Sequence, residues 1–275
     1  EKVLEYVNNS FESAEEQAAF DVYDANNINP LYGFFVARAG LGASESMRSK
    51  LAEYNDPRLS RAFITKQGTS GKEQAPGTAD NAVYAPNGTP EQGTSKYGTS
   101  LFMYSISAPT LLLSYHELKF LEAEALCRLE RDAKSALKDA VVAGLLNAEN
   151  SFTISRKELG KTLINAASSI TEAEAESYFD NTIEAKYTAE PLKTTMTQKY
   201  FALWGASGEA TESYNDVRRM KGLGENFIEL KNPNSFPLRC PYGNSDTTTN
   251  AEVKAAYGNG QYVYSENVWW AGGSR

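Results

Sequence analysis

The side chains able to carry chemistry here are unevenly supplied: one His, two Cys, 35 Asp and Glu, 16 Tyr and three Trp among 275 residues. A Ser-His-Asp or Cys-His arrangement needs an imidazole as base, and the one available is His116, which lies beside an apolar helix face. Glycosidic hydrolysis needs two carboxylates about 5 to 10 Å apart. With 35 acidic residues some pair always meets that distance, and no spacing singles one out; Glu117 and Glu124 read better as helix-packing partners. Cys127 and Cys240 show neither CxxC nor Cys/His metal spacing, and a disulfide between them stays open. Gly205-Ala206-Ser207-Gly208 lacks the Lys and the preceding strand of a phosphate cradle. The chain thus reads as non-catalytic, with no cofactor and no metal.

What the composition offers instead is recognition. Tyr and Trp rings present a large flat area at little entropic cost, and sugar rings expose C–H patches that stack on such faces. Sugar hydroxyls need Asn, Gln, Thr and Arg close by, which residues 61–104 supply. The expected ligand contacts are the rings of Tyr84, Tyr97, Phe102 and Tyr104, with Arg61 and Asn87 as polar partners; most of the other Tyr belong to the core. Gln67 to Ser100 holds six Gly, three Pro and five Thr in 34 residues. A stretch of that length without regular structure is either disordered or a functional surface excursion.

The elements that must hold these groups are helical. Pro109 to Glu130 reads as one helix of about six turns with two apolar faces, Leu111, Tyr115, Leu118, Leu121, Ala125 and Leu129 on one, Leu113, Phe120, Ala123 and Cys127 on the other. A helix greasy on two sides needs neighbours on both. Glu124 and Arg128, one turn apart, can pair; Glu122 points into the first face and must be hydrogen-bonded or at its rim. Asp132 can cap a second helix to about Asn147 whose inner face is small: Ala133, Ala136, Leu137, Ala140, Val141, Gly144 and Ala148. The 109–148 pair resembles one tetratricopeptide unit, with no clean second copy 34 residues on.

Flanking pieces follow the same logic. Ser13 can cap a helix through Phe20, and a further helix is expected from Ser44 to Tyr54, stopped by Asn55-Asp56-Pro57, with Arg58 in reach of helix-end carbonyls. Met196, Tyr200, Leu203 and Trp204 form a stripe, Ser207 can cap a helix ending at Gly222, and Arg218 and Arg219 sit in its last turn, where the helix dipole favours cations. From 223 the chain is mostly loop, turning through Asn232-Pro233-Asn234, with one helix from Asn250 to Tyr257; Val268-Trp269-Trp270 is expected to pack back as an anchor. One domain over 1–275 is expected, with a 66–104 loop insertion, a 109–222 helical-pair core and a 223–275 loop-rich segment. The net charge of −8 comes without a basic block, so nucleic acid is not an expected partner, and no run approaches the roughly 18 to 20 apolar residues of a membrane helix.

Five strings in order carry a resemblance: Asn55-Asp56-Pro57-Arg58-Leu59; Tyr115, Glu117, Leu118, Leu121, Ala123, Glu124 and Ala125; Gln198-Lys199-Tyr200 through Leu203-Trp204-Gly205; Asp216-Val217-Arg218-Arg219; and Arg239-Cys240-Pro241-Tyr242, followed by Asn250 and Val268-Trp269-Trp270. Together they resemble the SusD/RagB-like nutrient-binding lipoproteins, over what would be the C-terminal part of a usual member. The family pattern has Tyr-Pro and a later Glu where this chain has Tyr242-Gly243 and Asp246. The resemblance implies an all-α, tetratricopeptide-like fold of helical hairpins with long irregular loops. It also implies capture of oligosaccharides at the outer-membrane surface for a TonB-dependent, SusC-like transporter, with a lipid anchor lying outside this chain. Two alternatives stay open: a peptide-binding member of the family, and a transporter-interaction module with no ligand site of its own.

Overall fold

The computed structural model describes residues 1–38, 41–67, 72–77, 83–88, 96–231 and 235–273; the Asn232-Pro233-Asn234 turn and much of the 67–100 excursion lie outside the described residues. The chain forms two compact units, Glu1–Leu230 and Lys231–Arg275. In chain order the first holds α1 (Lys2–Val7), β1 (Ala18–Phe20), α2 (Pro30–Arg38), α3 (Glu45–Glu53), β2 (Phe63–Gln67), β3 (Glu73–Pro76), β4 (Thr99–Ser100) and β5 (Thr110–Leu113). It continues through α4 (Tyr115–Arg128), α5 (Lys134–Leu159), α6 (Glu172–Tyr178), α7 (Glu184–Ala189), α8 (Pro191–Ala202) and α9 (Ala210–Gly222). The second holds α10 (Asn244–Thr249) and α11 (Ala251–Tyr257). The fold class is all-α, built of tetratricopeptide-like helical pairs with two small antiparallel sheets, β1-β5 and β3-β2-β4.

The expected helix from Pro109 is shorter than the apolar pattern suggests. Thr110 to Leu113 is strand β5, paired with β1 in the register Ala19–Leu111 and Phe20–Thr110. Helix α4 begins only after Ser114, whose Oγ accepts from the Glu117 backbone N–H. The same pairing corrects the N-terminal expectation: Ala14–Glu16 is a single 3₁₀ turn without a side-chain cap, and Ala18 to Phe20 is extended. An apolar run of four residues suits strand and helix equally, and the neighbouring strand decides.

Helix α4 packs against α1, α5 and α8, as its two apolar faces require. Leu118, Phe120 and Ala123 are buried, while Glu122 sits at the rim and pairs with Lys119 one turn earlier. Helix α5 runs a full 12 residues past the expected stop at Asn147, because Ser151, Phe152 and Ser155 stay on its buried face. The small residues do what their size predicts: a Cβ on Gly144 would lie 2.9 Å from the Ala202 Cβ, so α5 and α8 meet at nearly backbone distance. Helices α6 and α7 are one element with a π turn, Phe179–Ile183, between them; Phe179 and Ile183 are fully buried there.

Asn55, at φ +48°, ends α3 in the left-handed region that Asn tolerates, and Asp56 and Arg58 then form a fully buried pair. Asp56 Oδ1 accepts from the Arg58 backbone N–H and Nε, and Arg58 Nη1 donates to the Phe201 carbonyl at 2.8 Å. The guanidinium therefore adds a short bond to a carbonyl in the last turn of α8 that otherwise takes the Trp204 N–H at 3.4 Å, and ties it to the end of α3. A second network ties α4 to α9: Glu124 takes Arg128 at 2.7 Å and Arg219 at 2.8 Å, and Asp216 takes Arg219 and Lys199. Ser207, expected as the α9 cap, instead donates to Glu209 Oε2, and Glu209 itself occupies the cap position.

In the second unit Asn250 caps α11 and Gly258, at φ +57°, follows it, as expected. Tyr242 stacks on Tyr257 at 4.4 Å. The Trp pair does not pack back: Trp269 and Trp270 are 71% and 67% exposed and meet each other edge to face. Adjacent residues on one 3₁₀ turn diverge, so two indoles cannot both face one core. Cys127 and Cys240 are free thiols.

Candidate functional site

The segment expected to bear ligand contacts is organised by strand β2. Phe63 pairs with Ser100 and Ile64 with both Thr99 and Pro76, so β4 and β3 flank it. Gly98 is required here, since a Cβ would sit 2.8 Å from the Ile64 carbonyl. Residues 83–88 are held against the start of α3: the Ala85 N–H donates to the Ala43 carbonyl, and the Glu45 N–H to the Ala85 carbonyl.

From this frame a chain of rings leads inward from the surface. Half-buried Tyr84 meets Phe63 edge-on at 5.3 Å, Phe63 meets Trp204 at 5.5 Å, Trp204 meets Phe102 at 5.1 Å, and Phe102 meets Phe152 at 4.6 Å. The outer end is polar and pre-arranged. Arg48 lies 5.3 Å over the Tyr84 ring while pairing with Glu45 through three hydrogen bonds, and Ser44 Oγ donates to Asn87 Oδ1 at 2.9 Å. Burial pushes the Tyr84 hydroxyl above the usual phenol range, with Arg48 opposing.

The expected residues separate into two groups. Tyr84 and Asn87 share the stretch held by α3, and Tyr97 and Tyr104 border one depression of about 10 Å³ with Thr65, Lys66 and Gln74. That is room for about one water. Tyr104 also meets Phe35 edge to face, and Lys96 covers Tyr97 at 5.2 Å.

The other two residues support rather than face a ligand. Phe102 is 2% exposed, closed between Phe152, Trp204 and Gly205, because it sits on a 3₁₀ turn that folds back into the core. Arg61 spends its donors internally, on the Ser168 and Pro57 carbonyls and on Glu174 of α6. Sequence reasoning missed Arg48, whose signal was its spacing of three from Glu45 on a capped helix.

A sequence profile of the SusD-like family, described as starch-binding and associating with the outer membrane, matches residues 1–242. The chain belongs to the SusD-like family. A SusD/RagB family protein of Bacteroides thetaiotaomicron is 65% identical, with a TM-score of 0.90, over 100% of this chain and 59% of its own. A SusD homologue of Bacteroides fragilis (19% identity, TM-score 0.61, 92% of this chain and 57% of its own) shares the fold, as does a chitin-binding protein (19%, 0.58, 94% and 56%). The SusD-like chain thus spans about 59% of the length of the most similar of these three. No curated protein matches it.

Proposed function

We propose that this chain is the glycan-binding part of a non-catalytic outer-membrane surface protein that captures oligosaccharides and hands them to a TonB-dependent, SusC-like transporter. The observation that carries the reading is family membership over residues 1–242, in a family described as starch-binding and outer-membrane-associated. The partly exposed rings of Tyr84, with Asn87 on the same stretch, and of Tyr97 and Tyr104, which border one depression, supply stacking faces on the helical frame and are where the glycan would rest. The absence of catalysis is supported by the sole imidazole, His116, which is 1% exposed and held 3.3 Å from the Glu209 carboxylate.

Capture followed by hand-over requires release, so affinities of about micromolar to millimolar are expected, roughly −8 to −4 kcal/mol. Titration calorimetry against a neutral glycan panel tests this. Binding in that range, abolished in a Tyr84→Ala, Tyr97→Ala, Tyr104→Ala triple variant, supports the site. Undiminished binding by the folded triple variant removes it, and a nanomolar constant contradicts hand-over. The lipid anchor and the transporter contact belong to the same proposal, and co-purification of the transporter with the anchored protein checks them.

A further inference from the structure

The two small sheets differ at their outer edges. In the three-stranded sheet the free side of β3 is met by the chain that follows α5, where the Ile164 N–H donates to the Gln74 carbonyl at 2.8 Å. In the two-stranded sheet β5 is likewise closed on its far side, the Leu111 N–H donating to the Ser207 carbonyl at 2.9 Å. Strand β1 has no such neighbour among the described residues. The Leu111 bond also fixes which way β1 faces. Since Leu111 turns its peptide groups toward Ser207, Ala19 directly opposite belongs to the non-hydrogen-bonded kind of antiparallel pair, and its own N–H and C=O point away from β5. Ala19 thus offers one donor and one acceptor along an open edge.

Strand β1 is exposed yet held in place. Ala18, Ala19 and Phe20 are all exposed, so the strand buries no side chain of its own. Gln17 Oε1 nevertheless accepts from the Tyr115 N–H at one end, and the hydroxyls of Tyr23 and Thr110 meet at 3.1 Å at the other. The ribbon is also apolar. Phe20 is 48% exposed, Val22 is exposed beside it, and Leu112, left over where the register passes from Ala18–Leu113 to Ala19–Leu111, is 74% exposed. Edges are ordinarily blunted by Lys, by Pro or by a covering segment, and β1 holds neither residue. A two-stranded sheet is marginal alone, and a third strand is what stabilises it.

The size of the patch selects its occupant. Three exposed apolar side chains and one outward peptide pair do not reach the roughly 1,000 Å² that a stable complex between separate proteins buries. A segment of the same polypeptide needs far less, because linkage raises its effective concentration. The 65% identical Bacteroides thetaiotaomicron protein has only 59% of its own chain covered by this one, so its remainder is long enough to supply a strand.

We propose that the open edge of β1 is the docking site for a strand from the remainder of the full-length polypeptide, the part that corresponds to the relative's chain outside the match. The incoming strand pairs with the Ala19 N–H and C=O, and its apolar side chains cover Phe20, Val22 and Leu112. No residue of the ring surface takes part, so the inference is independent of the glycan reading.

Co-expression of this chain with the remainder of the relative's chain, as two separate polypeptides, tests it. A one-to-one complex should form, and in hydrogen exchange the Ala19 amide should slow at least tenfold against the chain alone. The amide at the matching position of the intact relative should be as slow. Ala19→Pro removes the outward N–H and no bond of the β1–β5 ladder, a place where an edge strand tolerates Pro, and should weaken the complex at least tenfold. Should that variant fail to fold, Leu112→Asp at its exposed side chain carries the same expected loss. No complex, unchanged exchange at Ala19, or an unaffected folded variant would each overturn the assignment. Self-association of the chain alone that Ala19→Pro abolishes would overturn it too, giving the edge to a second copy.

Discussion

The ring surface and an acidic cleft spend their polar groups in opposite ways. Around Tyr84 the polar groups are already engaged: Arg48 with Glu45 and the ring face, and Ser44 with Asn87. In the cleft between α5 and α6, by contrast, Glu12, Asp139, Glu172 and Glu176 have no ion pair or side-chain hydrogen bond among the described residues. A surface satisfied in advance gains affinity from shape and stacking at little ordering cost, and discriminates weakly among neutral sugars. Exposed carboxylates in an open cleft are left to water, which solvates them without any partner from the fold.

Both surfaces hang on one helical frame, so the largest expected effect is one that removes the comparison altogether. Arg58→Ala leaves Asp56 buried without its cation and removes the shorter of the bonds to the Phe201 carbonyl. Losing one partner of a buried pair costs about 3–5 kcal/mol. Urea unfolding should show a loss of that size, with glycan binding falling alongside; a shift under about 1 kcal/mol would mean the pair is dispensable. Next in size is Gly144→Val, which forces α5 off α8 where the approach is 2.9 Å and should cost about 1–3 kcal/mol. Here the folded fraction should keep its glycan binding, since Gly144 does not line the ring surface.

The third expectation concerns the ring surface alone. Tyr84→Ala removes a stacking face worth about 1 kcal/mol, roughly a fivefold loss of neutral-glycan affinity. An unchanged neutral-glycan affinity in the folded Tyr84→Ala variant would remove this ring from the site.

How much of this could be read from the chain depends on whether one segment or two decided the outcome. The capped helix after Ser44, the Asn250 cap and the Glu124–Arg128 pair follow from residues within one turn of each other, and all are present. The start of α4 carried its own signal, since Ser114-Tyr115-His116-Glu117 fits a capping box and Ser114 does bond the Glu117 N–H. The apolar run before it masked that signal, because only β1, some 90 residues upstream, makes Thr110–Leu113 a strand. Phe102 was read as outward for the same reason: a ring in a hydroxyl-rich stretch gives no inward or outward sign until Phe152 and Trp204 surround it. The cleft was hidden by a different limit. Its floor lies on the far side of α5 from the small-residue face, and only the position of α6 turns that side into a concavity.

The smallest expected effect lies on α4, where two carboxylates should respond to pH with opposite signs. Burial tends to raise the Glu124 carboxyl, but hydrogen bonds from Arg219 and Arg128 outweigh it and hold the group below the usual range. Its stabilising contribution is therefore present above the unfolded value near 4.3 and fades as pH falls through the folded one. Glu117 is pushed up by burial, with Lys199 opposing and Glu209 and Glu212 adding to the rise. It favours the folded state below the unfolded value and loses that contribution as pH rises through its folded value. At pH 7 Glu124→Gln should accordingly lower the unfolding free energy by about 0.5–1 kcal/mol, the size of a partly exposed ion pair, whereas Glu117→Gln should raise it. Below the folded value of Glu124, with both groups protonated in the folded and unfolded chains alike, the two variants should converge on the parent. Shifts of the same sign at pH 7 would show that the α4–α9 cations serve both carboxylates alike, and that the frame beneath the two surfaces is electrostatically uniform where the geometry makes it asymmetric.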